Sequence, residues 1–238
     1  EALGVDVLMV LNFDEALSKL TPLEFVENVI VQGLGTRDLV VGYDFRFGNQ
    51  RVGDAAFLKS QASAGAYSLN VVEAIASADS EVYSSTHIRE LLIAGKPGHA
   101  AAMLGRPFEI EGCVQHGDER GRQLGFPTAN IELDGYLNPA FGVYAIRAGL
   151  ETDTGSFEWF DGVANFGNRP TVDGARILLE SHLFDFDGDL YDKNLRIALI
   201  EFLRPEIKFD GLDMLKSQIG MDSASARRML RVRAAGAP

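Results

Sequence analysis

One cysteine in 238 residues, Cys113, excludes an intrachain disulfide framework and fits a reducing compartment, so the cytoplasm is the expected location. Cys113 itself reads as a small apolar side chain buried on a strand. No stretch approaches the roughly 18 consecutive apolar residues of a membrane span, and no membrane partner is expected. Basic residues are outnumbered, 22 against 34, and the net charge of −12 argues against a nucleic-acid partner, whose phosphates need a basic face. The deficit is even: 13 acidic and 7 basic residues stand up to Leu104 and 21 and 15 beyond it, so that each part carries −6. The basic cluster Arg227, Arg228, Arg231 and Arg233 falls at the end of an expected helix, where cations suit the macrodipole. His87, His99, His116 and His182 are scattered without metal-ligand spacing. The run Asp185, Asp187, Asp189 fails as a calcium loop, because its glycine comes too early and its twelfth position is Arg196; Asp187-Gly188 reads instead as a hairpin turn. There is no Walker loop and no Gly-x-Ser-x-Gly elbow, and Gly33-Leu34-Gly35 lacks the third glycine of a dinucleotide fingerprint. Internal repeats and low-complexity segments are also missing.

What is present divides near Gly105. Before it, strands and helices alternate. Residues 5–11 form an apolar run of strand length, and Thr21-Pro22-Leu23-Glu24 is a capping box with proline at the first helical position, opening a helix to about Val31. Residues 39–41 and 69–72 are further short strands, with a helix capped by Asp54 between them. Ser84-Ser85-Thr86 opens a helix through Ile93 that Gly95 ends, and a second short helix covers residues 98–103. Strands separated by helices imply a parallel α/β sheet. After Leu104 the rhythm changes to β-like runs at 108–115, 143–148, 158–164, 177–184 and 195–203 with turn residues between them. Such a series predicts a small antiparallel barrel. Two helices are expected to follow, 212–219 and 223–230, the second capped by Asp222.

The most informative segment is Gly121-Arg-Gln-Leu-Gly-Phe-Pro-Thr-Ala-Asn-Ile131. Glycines let the backbone approach an anion, Pro127 fixes the chain direction, and the Thr128 hydroxyl and Asn130 amide alternate onto one face of an extended segment. Oxygen ligands of this kind suit Mg²⁺ that nucleotide phosphates also hold. From spacing alone, a plain hairpin loop whose Thr and Asn cap their own backbone is the favoured account. In Arg-Ile-Leu-Leu-Glu180-Ser-His-Leu-Phe, Glu180 is an isolated carboxylate among mostly apolar neighbours. It is either an outward-facing strand residue or a general base for a hydroxyl nucleophile. Gly42-Tyr-Asp44-Phe45-Arg46-Phe47-Gly48 sets an acid and a base between aromatics just after a strand, where open α/β sheets bind ligands. Ser84, Ser85 and Thr86 bring hydroxyls and free N–H groups to a helix start with Arg89 one turn along, an arrangement that serves as an N-cap or as a phosphate site.

The unbroken Pro127-Thr-Ala-Asn130 resembles the nucleotide-binding signature of riboflavin kinases, and Glu180 before His-Leu-Phe-Asp-Phe matches their catalytic glutamate. The loop 42–48 and the Ser84 to Arg89 segment, in that order ahead of them, resemble the nucleotidyltransferase module of bacterial bifunctional riboflavin kinase/FMN adenylyltransferases. The resemblance implies a Rossmann-like α/β nucleotidyltransferase module over 1–104 and an antiparallel β-barrel riboflavin kinase module with C-terminal helices over 105–238. It implies ATP as co-substrate, Mg²⁺, and riboflavin, FMN and FAD as substrates and products. Glu180 would take the proton from the terminal ribityl hydroxyl. Thr128 and Asn130 would hold Mg²⁺ and the terminal phosphates, with Arg122, Gly125 and Pro127 covering the nucleotide. Arg204 and Lys208 match a segment on the flavin side, where ion pairing is their expected role. Ser84, Ser85, Thr86 and Arg89 would stabilise ATP phosphates during adenylyl transfer to FMN, with Gly42, Asp44, Phe45, Arg46, Phe47 and Gly48 forming the ligand loop. The family's module begins with a strand and a His-x-Gly-His turn; these 238 residues contain no such pair, so the first module is expected to be incomplete at its start. The competing reading is a non-catalytic flavin-binding barrel fused to a nucleotide-sensing domain. The oligomeric state is not legible in the sequence.

Overall fold

The computed structural model describes residues 4–76, 81–116, 125–133, 135–152, 154–171 and 174–235. By its contacts the chain forms two compact units, Glu1–Val82 and Tyr83–Pro238.

In the first unit, helix α1 (Glu15–Lys19) is capped by Asp14. Helix α2 (Pro22–Glu24) carries the full capping box between Thr21 and Glu24 and runs on as a π-helix over Phe25–Gly33. Strands β1 (Asp38–Gly42) and β2 (Ser68–Val72) pair in parallel, joined through α3 (Ala55–Ala62), whose cap is Asp54. Val26, Ile30, Val41, Phe47, Leu58 and Tyr67 make the core of this unit. The strand expected at residues 5–11 is not formed. The segment has no sheet partner among the described residues, and Val7, Leu8 and Val10 stand at least three-quarters exposed. An apolar run becomes a strand only where a neighbour takes its hydrogen bonds.

The second unit starts with two helices, α4 (Ser85–Ile93) and α5 (Pro97–Leu104). Both turn over at glycines in the left-handed region, Gly95 at φ 69° and Gly105 at φ 71°. The change of rhythm in the sequence falls after Leu104, but the contacts divide the chain after Val82, because α5 leans on β3 and β8 of the sheet that follows. That sheet has six antiparallel strands: β3 (Phe108–Cys113), β4 (Ala129–Glu132), β5 (Gly142–Glu151), β6 (Phe157–Thr171), β7 (Gly174–Leu183) and β8 (Asn194–Pro205). Their order is β3-β8-β5-β6-β7-β4. The sheet curls until its edges meet: Gln115 bridges to Asn130, and a Cβ at Gly112 would lie 2.3 Å from the Ile131 side chain. Tyr144, Ile146, Phe166, Leu179, Ile197 and Leu199 fill the interior.

Helix α6 (Leu212–Ala235) covers part of the opposite face, setting Ala226 and Leu230 against Val143, Ala145, Val163 and Ile200. Three expectations are corrected here. The two C-terminal helices are one helix of 24 residues, since the Asp222 carboxylate is turned to Arg204 and does not cap a new start. Asp187-Gly188 is not a hairpin turn, because β7 and β8 are not neighbours in the sheet. Cys113, at the end of β3, is exposed.

Candidate active site

Strand register brings the chemistry-bearing residues together. In antiparallel pairs, residues directly opposite share a face, with Cβ atoms about 4.5–5.5 Å apart. Asn130 on β4 lies opposite Glu180 on β7, Glu180 lies opposite Asn165 on β6, Asn165 opposite Val143 on β5, and Val143 opposite Arg204 on β8. One row therefore crosses five strands. Their alternate neighbours Ala129, Leu179, Ala164 and Phe166 point into the barrel core, so the row belongs to the other face, where α6 packs on its Val143 end. Asn130, Glu180 and Asn165 are each half-buried.

The segment leading into β4 is tied to β7. His182, two residues from Glu180 on the same side of its strand, places Nδ1 2.9 Å from the Pro127 carbonyl. A carbonyl only accepts, so this bond keeps the proton on Nδ1. Phe126 packs edge-on against the same imidazole at 5.5 Å. Gly125 takes φ 87°, a left-handed value that glycine adopts without strain. Pro127 and the half-buried Thr128 thus approach the row from a segment fixed at one end by β4 and at the other by His182. Arg122 lies outside the described residues.

At the far end of the row the Arg204 guanidinium forks onto Asp222 of α6, with Nε 3.0 Å from Oδ1 and Nη2 2.7 Å from Oδ2. Gln218 donates to the same carboxylate at 2.9 Å, and Asp222 is only 6% exposed. Lys208 is exposed. Between these ends, Glu206 reaches back over the sheet, and the Asn165 amide donates to its Oε1 at 3.1 Å.

The other two candidate segments belong to different units. The loop after β1 belongs to the first unit. There Phe47 is buried, Phe45 stacks on it at 5.5 Å, and Arg46 meets Asp54 at 3.2 Å; Asp44 is exposed. Gly42 ends the strand, and Gly48, at φ 71°, passes so close to Pro22 that an added Cβ would lie 2.9 Å from its nitrogen. The start of α4 belongs to the second unit. Ser84 Oγ accepts from the His87 N–H as a helix cap, Arg89 Nη1 donates to Ser85 Oγ at 3.2 Å, and Thr86 is exposed.

The riboflavin kinase family model matches residues 104–230, and the FAD synthetase model matches residues 1–87. The bifunctional riboflavin kinase/FMN adenylyltransferase of Pseudomonas fluorescens is 40% identical over 227 residues, covering 95% of this chain and 71% of the relative. The chain belongs to the bifunctional riboflavin kinase/FMN adenylyltransferase family. Members with the same name from Escherichia coli K12 and Bacillus subtilis 168 are 40% and 35% identical, covering 94% and 96% of this chain and 70% and 71% of their own lengths. A solved structure described as a macrolide-efflux protein from Streptococcus pneumoniae is 30% identical, with a TM-score of 0.77 over 94% of this chain and 70% of that one. Among the described residues no helix is long and apolar enough to cross a membrane.

The family's kinase segment contains Gly125, Pro127, Thr128, Asn130, Glu180, Arg204 and Lys208. Its FAD synthetase segment contains the loop 42–48 and Ser84, Ser85 and Thr86, and stops two residues short of Arg89. Sequence reasoning passed over His182, Asn165, Glu206 and the partner of Arg204. His182 was within reach, since a period of two from Glu180 sets both on one side of β7. The others depend on register between strands far apart in sequence, which no local pattern carries.

Proposed function

We propose that the row at Asn130 and Glu180 is the phosphoryl-transfer site of a riboflavin kinase, and that the chain also carries the FMN adenylyltransferase module of its family. The observation that carries this reading is the direct cross-strand placement of Asn130 against Glu180. It sets a neutral oxygen ligand and a carboxylate within one side-chain length of each other. Glu180 takes the proton of the terminal ribityl hydroxyl of riboflavin as that oxygen attacks the γ-phosphorus of ATP; the bond to the bridging oxygen breaks, and FMN and ADP leave. Thr128 and Asn130 present hard oxygen donors, the type of ligand Mg²⁺ takes, and these two would hold it. When bound, the ion neutralises charge on the terminal phosphates. Gly125 and Pro127, with Arg122, cover the nucleotide. The Arg204–Asp222 pair fixes the end of β8 on the flavin side, with Lys208 nearby in sequence.

FMN is then adenylylated by ATP to FAD with release of pyrophosphate. The residues assigned to that step are Ser84, Ser85, Thr86 and Arg89 for the phosphates, together with the ligand loop Gly42, Asp44, Phe45, Arg46, Phe47 and Gly48. The partners are small molecules, and the single cysteine and the net charge of −12 accord with a cytoplasmic enzyme that does not bind nucleic acid. The test is Glu180→Gln. Removal of a general base is expected to lower FMN formation by about 10²- to 10⁴-fold while riboflavin still binds. Turnover close to that of the unaltered protein would remove Glu180 from the base role.

A further inference from the structure

We propose that Glu206, seated by Asn165, receives the hydroxyls of the flavin's polyol chain and directs its end to Glu180. This rests on the kinase reading of the row.

Glu206 follows β8, yet its carboxylate lies on β6. It reaches there because two backbone positions carry no side chain. A Cβ at Gly167 would fall 2.2 Å from Glu206 Oε1 and 3.1 Å from Oε2, so the carboxylate occupies the space that any other residue would fill. At the start of β5, a Cβ on Gly142 would lie 2.3 Å from the Arg204 carbonyl, over which the chain passes on its way to Glu206. The backbone just before Glu206 is held as well: Arg204 is forked onto Asp222, and its Nη1 donates to the Pro205 carbonyl at 2.9 Å. The backbone before it and the hydrogen bond from Asn165 bring the exposed Glu206 carboxylate over β6.

Its partner there is neutral. Asn165 Nδ2 donates to Oε1, and among the described residues no cation pairs with Glu206. An ionised carboxylate has about four acceptor sites, so most of its capacity is left for donors that are not part of the protein. Asn165 also stands directly opposite Glu180. An acceptor-rich carboxylate one strand spacing from the base, with an amide between them, matches a chain of hydroxyl groups whose last member must reach Glu180. Hydroxyls donate to carboxylates without bringing a charge of their own to be desolvated.

Two flavins separate this role from a structural one: riboflavin, and lumiflavin, which has the same ring system without the polyol. Their dissociation constants are measured by flavin fluorescence for the unaltered chain, for Glu206→Ala and for Gly167→Ala, whose methyl group takes the carboxylate's place. Both variants are expected to weaken riboflavin by about tenfold to a hundredfold, the loss of hydrogen bonds to a charged group, with lumiflavin unchanged. In turnover, the KM for riboflavin should rise and that for ATP stay constant. Equal weakening of both flavins, or no change in either, overturns the proposal. Failure of the kinase reading looks different: the unaltered chain makes no FMN, while the selective loss of riboflavin affinity in Glu206→Ala still assigns the polyol to Glu206.

Discussion

Replacing Asp222 with alanine is expected to destabilise the second unit by about 3 kcal/mol. The carboxylate is 6% exposed and accepts Arg204 Nε at both oxygens, at 3.0 and 3.1 Å, Arg204 Nη2 at 2.7 Å and Gln218 Nε2 at 2.9 Å. Removing one member of a buried pair costs about 3–5 kcal/mol, mainly because the surviving charge stays buried without its partner. Arg204 keeps a fifth of its side chain in solvent and its bond to the Pro205 carbonyl, which places the loss at the lower end of that range. For a unit of this size such a loss lowers Tm by about 6–12 °C. The chain has one tryptophan, Trp159 on β6, so indole fluorescence during urea unfolding reports on the second unit alone. Asp222→Asn should lose less, since one acceptor remains. A loss below about 1 kcal/mol in the alanine variant, the range of a solvent-exposed pair, would refute the burial argument.

Other consequences are open to measurement. His182→Phe keeps an aromatic ring against Phe126 but removes the donor to the Pro127 carbonyl; the KM for ATP should rise several-fold while riboflavin affinity holds, and an unchanged KM would detach His182 from the nucleotide segment. Thr21→Ala deletes the reciprocal capping bonds with Glu24 and should cost the first unit about 1 kcal/mol, read by hydrogen exchange over α2. The Arg227 hydrogen bonds hold the Asp185 carboxyl below the ordinary carboxylate range, with its charge and that of Arg231 adding to the effect. A depressed folded-state value means that the contribution is present above the unfolded value of about 3.9 and is lost as pH falls through the folded one. NMR titration should show Asp185 ionising below its ordinary value, and Arg227→Ala should bring it back; a midpoint that does not move would contradict the contact.

How much the sequence reveals differs by element. Alternation and turn residues locate five of the six barrel strands, and the capping residues Thr21, Asp54 and Ser84 mark helix starts that the structure keeps. Local hydrogen bonds decide those features, so local residues suffice. Residues 5–11 have strand composition, but a strand is made by its neighbour, and none pairs with them among the described residues. Asp222 is read as a cap from its surroundings, yet the guanidinium of Arg204, 18 residues earlier, takes its carboxylate, and α6 continues through Gly220 because its face is packed on the sheet. In the candidate site, Glu180 stands out as a carboxylate in an apolar strand, and Thr128 and Asn130 as polar residues in a segment with glycine and proline, whereas Asn165 and Glu206 join them only through pairing and a glycine slot.

The most direct test of the central claim is to incubate the purified chain with riboflavin, ATP and Mg²⁺ and to separate the flavins by chromatography. The row at Asn130 and Glu180 predicts conversion of riboflavin to FMN, with FAD following where adenylyl transfer also proceeds. Folded protein that binds riboflavin but leaves it unchanged would contradict a phosphoryl-transfer site and favour a barrel that only binds flavin.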